Sequence, residues 1–154
     1  MKINHEINIP TLKKLDFTFI SISSSKLIEQ SDRLTDVRIS QSEVTEIDLR
    51  EFKKLENLEL ISNKIENIDS FCSKDWRTLK TMYLTENKIT SVPKMTKFPL
   101  LEILHLGENQ IENVNDLMEN SMLLSLTYLY LSRNKIKNIK GIKNLPKLAA
   151  LYLE

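Results

Sequence analysis

LKTMYLTENKITSV, residues 79–92, decides the fold. The same pattern returns in LENLELISNKIENI from Leu55, LEILHLGENQIENV from Leu101 and LTYLYLSRNKIKNI from Leu126. All four fit L-x-x-L-x-L-x-x-N-x-I-x-x-I, with Met82 standing in for one leucine. The central L-x-L alternates with period two, which predicts a short strand with one face buried. A unit this small cannot bury its apolar side alone. Copies must stack, so a fixed period of this length predicts a solenoid.

Three weaker copies extend the array. LTDVRISQSEVTEI from Leu34 keeps the apolar columns but carries Ser42 where Asn belongs, and LKKLDFTFISISSS from Leu12 puts Ile20 there. LAALYLE from Leu148 stops short of that position. Repeats then start at Leu12, Leu34, Leu55, Leu79, Leu101, Leu126 and Leu148, with steps of 22, 21, 24, 22, 25 and 22 residues. A proline precedes three of these starts by two residues (Pro10, Pro99 and Pro146), which favours Leu12 over a rival register beginning at Phe17. Residues 1–11 read as an N-terminal cap segment, and 12–154 as one repeat domain of about seven repeats with the last incomplete.

Each column has a physical role. The strand leucines point inward, and strands of successive repeats stack in parallel about 4.8 Å apart, so seven give a sheet roughly 30 Å long. Asn63, Asn87, Asn109 and Asn134 fall where the chain leaves the strand. A stacked Asn can donate and accept at once, and so satisfies backbone groups that have no ladder partner. Two apolar columns follow, Val44, Ile65, Ile89, Ile111, Ile136 and then Ile47, Ile68, Val92, Val114, Ile139. A further layer precedes each start: Ile9, Phe52, Trp76, Phe98, Leu123, Leu145. Trp76 therefore reads as core. The two long repeats carry their extra residues in DSFCSKDW from Asp69 and NDLMENSMLL from Asn115, each predicting a short helix opened by its own capping residue. Cys72, the lone cysteine, has no basic neighbour pattern and reads as packing rather than a reactive thiol.

The N-K-I-x-x-I repeat of about 22 residues resembles the leucine-rich repeats of the nuclear regulator of protein phosphatase 1, a class shared by internalins, an axonemal dynein light chain and the spliceosomal A-prime protein. The resemblance runs from about Leu12 to the end. It implies an α/β solenoid, a right-handed superhelix with a concave parallel sheet and convex 3₁₀ or short helices. Relatives of this class bind unrelated partners through one scaffold. A phosphatase catalytic subunit is one candidate partner that the resemblance implies.

Composition bounds the rest. The chain of 154 residues is 41% hydrophobic and 28% charged, with a net charge of +1, which points to a globular domain without a global field for nucleic acid or membrane. The start, MKINHEINIP, has no apolar signal-peptide region and no run approaches a membrane span, so the expected location is intracellular, cytoplasmic or nuclear.

The residue between the two strand leucines projects from the concave face. Along the chain it is Asp16, Arg38, Glu59, Tyr83, His105, Tyr130 and Tyr152, charged first and aromatic after. Tyr128 occupies the outward position before Tyr130, so all four tyrosines lie on this face. Tyrosine is enriched at binding hot spots, where a rigid ring buries area and its hydroxyl stays paired. Outward tyrosines also suit a sheet as good β formers. Glu86, Glu108 and Arg133 border the stripe, and the two glutamates are placed to receive a basic side chain of a partner.

The expected function is a non-catalytic scaffold or adaptor that binds a folded protein through this stripe. The alternative is a small structural subunit of a ribonucleoprotein or cytoskeletal complex, held by an open C-terminal edge and the basic loops. Ending inside a repeat, the chain reads as a fragment, as a subunit whose partner covers the last strand, or as self-capped by 148–154. Arg133, Lys135, Lys137, Lys140, Lys143 and Lys147 crowd the last third, where the spacing puts most of them on loops and the convex side; they offer nucleic acid a second-ranked role, since single-strand binding interleaves aromatics with basic residues and the tyrosines are on another face. Catalysis fares badly: no Cys/His spacing suits zinc, only Gly107 and Gly141 occur, and His105 has no nucleophile beside it. No cofactor or metal is expected.

Overall fold

The computed structural model describes residues 11–19, 31–49, 51–120, 122–140 and 144–154. Seven strands form one parallel sheet in sequence order: β1 Lys14–Thr18, β2 Asp36–Ser40, β3 Asn57–Glu59, β4 Thr81–Tyr83, β5 Ile103–His105, β6 Tyr128–Tyr130 and β7 Ala150–Tyr152. Leu15 pairs with Val37, then Leu58, Met82, Leu104, Leu129 and Leu151 continue the row. This pairing places the first repeat at Leu12 and excludes the start at Phe17. The proposed cap segment lies outside the described residues, apart from Thr11.

The core is the sum of the inward columns. Leu58, Leu60, Leu84, Leu104, Leu106 and Leu129 have no exposed surface, and Ile65, Ile89 and Ile111 lie beneath the turn with none either. Phe52, Trp76, Phe98, Leu123 and Leu145 close the opposite side. Trp76 stacks on Phe98 at 6.3 Å, and its indole Nε1–H donates to the Phe71 carbonyl at 2.6 Å. Toward the last repeats the core opens: Ile136, Ile139, Leu148 and Leu151 are only partly buried.

The asparagine column forms a hydrogen-bond ladder between repeats. Asn87 Oδ1 accepts from Ile65 N–H at 3.0 Å, and Asn109 Oδ1 accepts from Ile89 N–H at 3.0 Å. Their Nδ2 groups donate back to the Leu60 and Leu84 carbonyls at 2.8 and 3.0 Å. Asn63 does the same with Val44 N–H and the Ile39 carbonyl, and Asn134 with Ile111 N–H and the Leu106 carbonyl. Each amide thus answers at least one donor and two carbonyls around the turn.

The residue just before this column is left-handed in six repeats: Phe19, Gln41, Ser62, Glu86, Glu108 and Arg133 have φ between 50° and 56°. None is glycine or asparagine, so nothing in the sequence announces the turn. The backbone conformation is imposed by the ladder on both sides of it.

Both long repeats carry helices where the spacing places them, α1 Asp69–Ser73 and α2 Asn115–Asn120. Their caps differ from expectation. Asp69 and Asn115 are the first helical residues, and the capping oxygens come from two residues upstream. Asn67 Oδ1 accepts from Asp69 N–H at 2.6 Å, and Asn113 Oδ1 from Asn115 N–H at 2.7 Å. The short amide of an Asx turn reaches the amide two residues on, which a residue already inside the helix cannot do. Cys72 is buried in α1, and burial, with Asp69 nearby, pushes its thiol up to about 12.

Candidate functional site

The outward column forms a continuous row across all seven strands. Asp16, Arg38, Glu59, Tyr83, His105, Tyr130 and Tyr152 are direct partners in register. Its charged part is internally paired: Arg38 Nε lies 3.4 Å from Glu59 Oε2. Its aromatic part is a stack. Tyr83 and His105 have ring centroids 5.9 Å apart with a 30° tilt; His105 and Tyr130 lie at 4.5 Å and 8°, and Tyr130 and Tyr152 at 4.4 Å and 3°. Parallel strands bring the rings to stacking distance without further help, and each such contact adds about 0.5–1.5 kcal/mol.

The row beside it changes character at the same place. Asp36, Asn57 and Thr81 form a polar chain, Asn57 Nδ2–H donating to Asp36 Oδ1 at 2.9 Å and Thr81 Oγ1–H to Asn57 Oδ1 at 2.8 Å. Ile103, Tyr128 and Ala150 continue it without polar cross-links. Tyr128 is 40% exposed and Tyr152 45%, while Tyr83, His105 and Tyr130 are half-buried by their neighbours. Burial first, then Tyr152 hydrogen-bonded beside it, holds the Tyr130 hydroxyl above its ordinary range.

His105 is fixed from below. The Thr85 hydroxyl lies 2.7 Å from its Nδ1, and the Gly107 N–H reaches the same nitrogen at 3.4 Å. An atom that accepts an N–H carries no proton of its own, so the neutral ring holds its proton on Nε2. Burial lowers the His105 pKa against the opposing pull of Glu108. Gly107 leaves room for the ring: a Cβ at that position would lie 3.1 Å from His105 Cε1, so the imidazole would have to shift. The sequence marks Gly107 only as a rare glycine beside the stripe.

Of the border residues, Glu108 is paired within the sheet while Glu86 keeps its charge. Glu108 pairs with Arg133 at 3.2 Å, and Glu86 accepts from the Ser62 hydroxyl at 2.6 Å. All three border positions are exposed and belong to the left-handed column, which directs them along the rim of the sheet.

Away from this face, Lys74 follows α1 and bridges two loops. Its Nζ donates to the Leu49 and Phe52 carbonyls at 2.6 and 2.7 Å and lies 4.0 Å above the Trp76 ring. Burial lowers its pKa to about 8. A convex-side cavity of about 310 Å³, lined in part by Glu46, Asp48, Phe71 and Trp76, adjoins it. No helix among the described residues is long and apolar enough to cross a membrane.

The fold has clear relatives. A family profile described as leucine rich repeat matches residues 99–154. The protein phosphatase 1 regulatory inhibitor subunit PPP1R7 homolog of Arabidopsis thaliana is 30% identical over 149 residues, 92% of this chain and 44% of the relative. Lumican of Homo sapiens is 29% identical over 150 residues, 94% of this chain and 43% of the relative. The chain thus spans less than half the length of either. Internalin C2 of Listeria monocytogenes shares the fold with a TM-score of 0.67 at 17% identity, covering 94% of this chain and 72% of that one. Repeat, fold and matches together make this chain a leucine-rich-repeat solenoid protein, similar along its length to a phosphatase regulatory subunit.

Proposed function

We propose that the protein is a non-catalytic, intracellular interaction scaffold that holds a folded protein partner on the concave face. Tyr83, His105, Tyr128, Tyr130 and Tyr152 form the contact surface, with Glu86, Glu108 and Arg133 along its rim. The observation that carries this reading is the row of four rings from Tyr83 to Tyr152, with His105, Tyr130 and Tyr152 stacked and Tyr83 tilted against them. Inward leucines already build the sheet, so these rings are surplus to the core. Rigid, half-buried aromatic groups in a row are the composition of a binding hot spot.

The catalytic subunit of a protein phosphatase is the candidate partner, on the similarity to a relative named as a regulatory inhibitor subunit of protein phosphatase 1. The test is calorimetric titration of purified phosphatase 1 catalytic subunit into wild type and into Y83A/H105A/Y130A/Y152A. Binding by the wild type and its loss in the variant, with unchanged circular dichroism, is the expected result. Equal binding by both proteins moves the interface off the stripe. No binding by either removes this phosphatase as the partner.

A further inference from the structure

We propose, resting on the concave-face reading above, that the aromatic half of the sheet receives an acidic segment of its partner. Ring edges, hydroxyls and a cationic margin would hold it, rather than ring faces.

The stack itself argues for this. With His105, Tyr130 and Tyr152 within 8° of parallel and 4.5 Å or less between successive centroids, the facing surfaces of these rings cover one another. A guanidinium or ammonium group is held over an aromatic face, and the inner faces are taken. What projects from the sheet is the far edge of each ring, the positive rim of its quadrupole. The tyrosine hydroxyls project with it, and so does Nε2–H of His105, because Nδ1 is engaged by Thr85 and Gly107. Donors and positive edges in a row match carboxylate oxygens, with which they form charge-assisted bonds.

Charge along the repeats points the same way. At equivalent positions the sixth repeat replaces acidic or neutral residues by basic ones. Glu86 and Glu108 become Arg133, Glu66 and Glu112 become Lys137, and Asp69 and Asn115 become Lys140, while Lys135 continues the basic column of Lys64 and Lys88. Residues 126–154 hold six basic side chains against Glu154, in a chain of net charge +1. Glu108 engages Arg133 and Glu112 engages Lys137. Among the described residues Lys135, Lys140 and Lys147 form no salt bridge and are exposed, so the last two repeats, which carry Tyr130 and Tyr152, hold a surplus of positive charge. Glu86 stays unneutralised at the Tyr83 end, which places the acidic segment toward Tyr130 and Tyr152. Single-stranded nucleic acid shares the charge requirement but needs open ring faces for its bases.

The test uses fluorescence anisotropy with three labelled probes: a peptide of repeating Glu-Glu-Leu-Ala, its Lys-Lys-Leu-Ala counterpart, and oligothymidine. The glutamate peptide is expected to bind at least about tenfold more tightly than either other probe, and to weaken with salt. K135E/K140E/K147E should weaken it by about tenfold, and Y130F/Y152F, which keeps the stack and deletes two hydroxyls, by several-fold. Equal or tighter binding of the lysine peptide, tighter binding of oligothymidine, or no binding of the glutamate peptide overturns the inference. Loss in Y83A/H105A/Y130A/Y152A with no change in the lysine variant rejects the acidic partner but keeps the concave site. The reverse pattern rejects the concave site as well.

Discussion

Thr85 and His105 form the shortest polar contact between the aromatic row and the sheet beneath it among the described residues, hydroxyl to Nδ1 at 2.7 Å. Burial favours the neutral imidazole, against the pull of Glu108. The His105 pKa in the folded protein lies below the ordinary value near 6.5, so the unfolded chain binds more protons between the two. The His105 contribution to stability is present above that ordinary value and is lost as pH falls through the folded one. An NMR titration should find His105 below free histidine, and Thr85→Val should move it upward. An unchanged midpoint in the variant would show that the contact does not set the protonation state.

The asparagine ladder should be graded by burial. Asn109→Ala leaves Ile89 N–H without its partner inside the core and the Leu84 carbonyl with Asn87 Nδ2 alone, at about 1–3 kcal/mol for the orphaned donor. Asn134→Ala removes the same bonds from a half-exposed turn and should cost less. Urea unfolding midpoints compare the two directly; equal losses would mean that the ladder does not act through burial.

The left-handed column offers a stabilising substitution. Gln41 is exposed with φ of 50°, a conformation that costs a non-glycine residue about 1–2 kcal/mol. Gln41→Gly should gain about 0.5–1 kcal/mol after the added freedom of the unfolded chain is subtracted, and Gln41→Val should lose stability. Thermal melts that rank valine above glycine would contradict the strain.

Lys74 should make stability depend on alkaline pH. Its folded pKa of about 8 lies below the ordinary 10.5, so the unfolded chain holds the extra proton between those values. Stability is expected to rise across that window in wild type and to stay flatter in Lys74→Met. The same variant should lose about 1–3 kcal/mol near neutrality, because the Phe52 carbonyl loses its donor and the Leu49 carbonyl keeps only Phe52 N–H. Parallel pH profiles for the two proteins would refute the assignment.

Cys72 should behave as a reporter of unfolding. A buried thiol pushed up to about 12 holds almost no thiolate at neutral pH. Labelling by a thiol reagent should therefore wait for unfolding and accelerate in urea at the global transition.

Most of the architecture was legible because inward columns repeat. The L-x-L core located all seven strands, and the mid-strand residues fell into one row as their spacing required. Asn67 and Asn113 were harder to read, since the helix seemed to have its own cap in Asp69 or Asn115; the two-residue reach of the Asx turn decided the matter. The turn at Gln41, Glu86 and Arg133 had no residue signature at all, because neighbouring repeats impose it. The face of the stripe could be read from alternation, whereas ring stacking and the Glu108–Arg133 pair depend on torsions about the side chains, which spacing leaves open.

The four rings also bear on the speed and tightness of recognition. A free tyrosine on a surface samples several rotamers, and docking must freeze them at about 0.5–1.5 kcal/mol for each side chain. Here Tyr130 is clamped between His105 and Tyr152 before any partner arrives. That ordering entropy is spent during folding, so the surface meets its partner already preorganised.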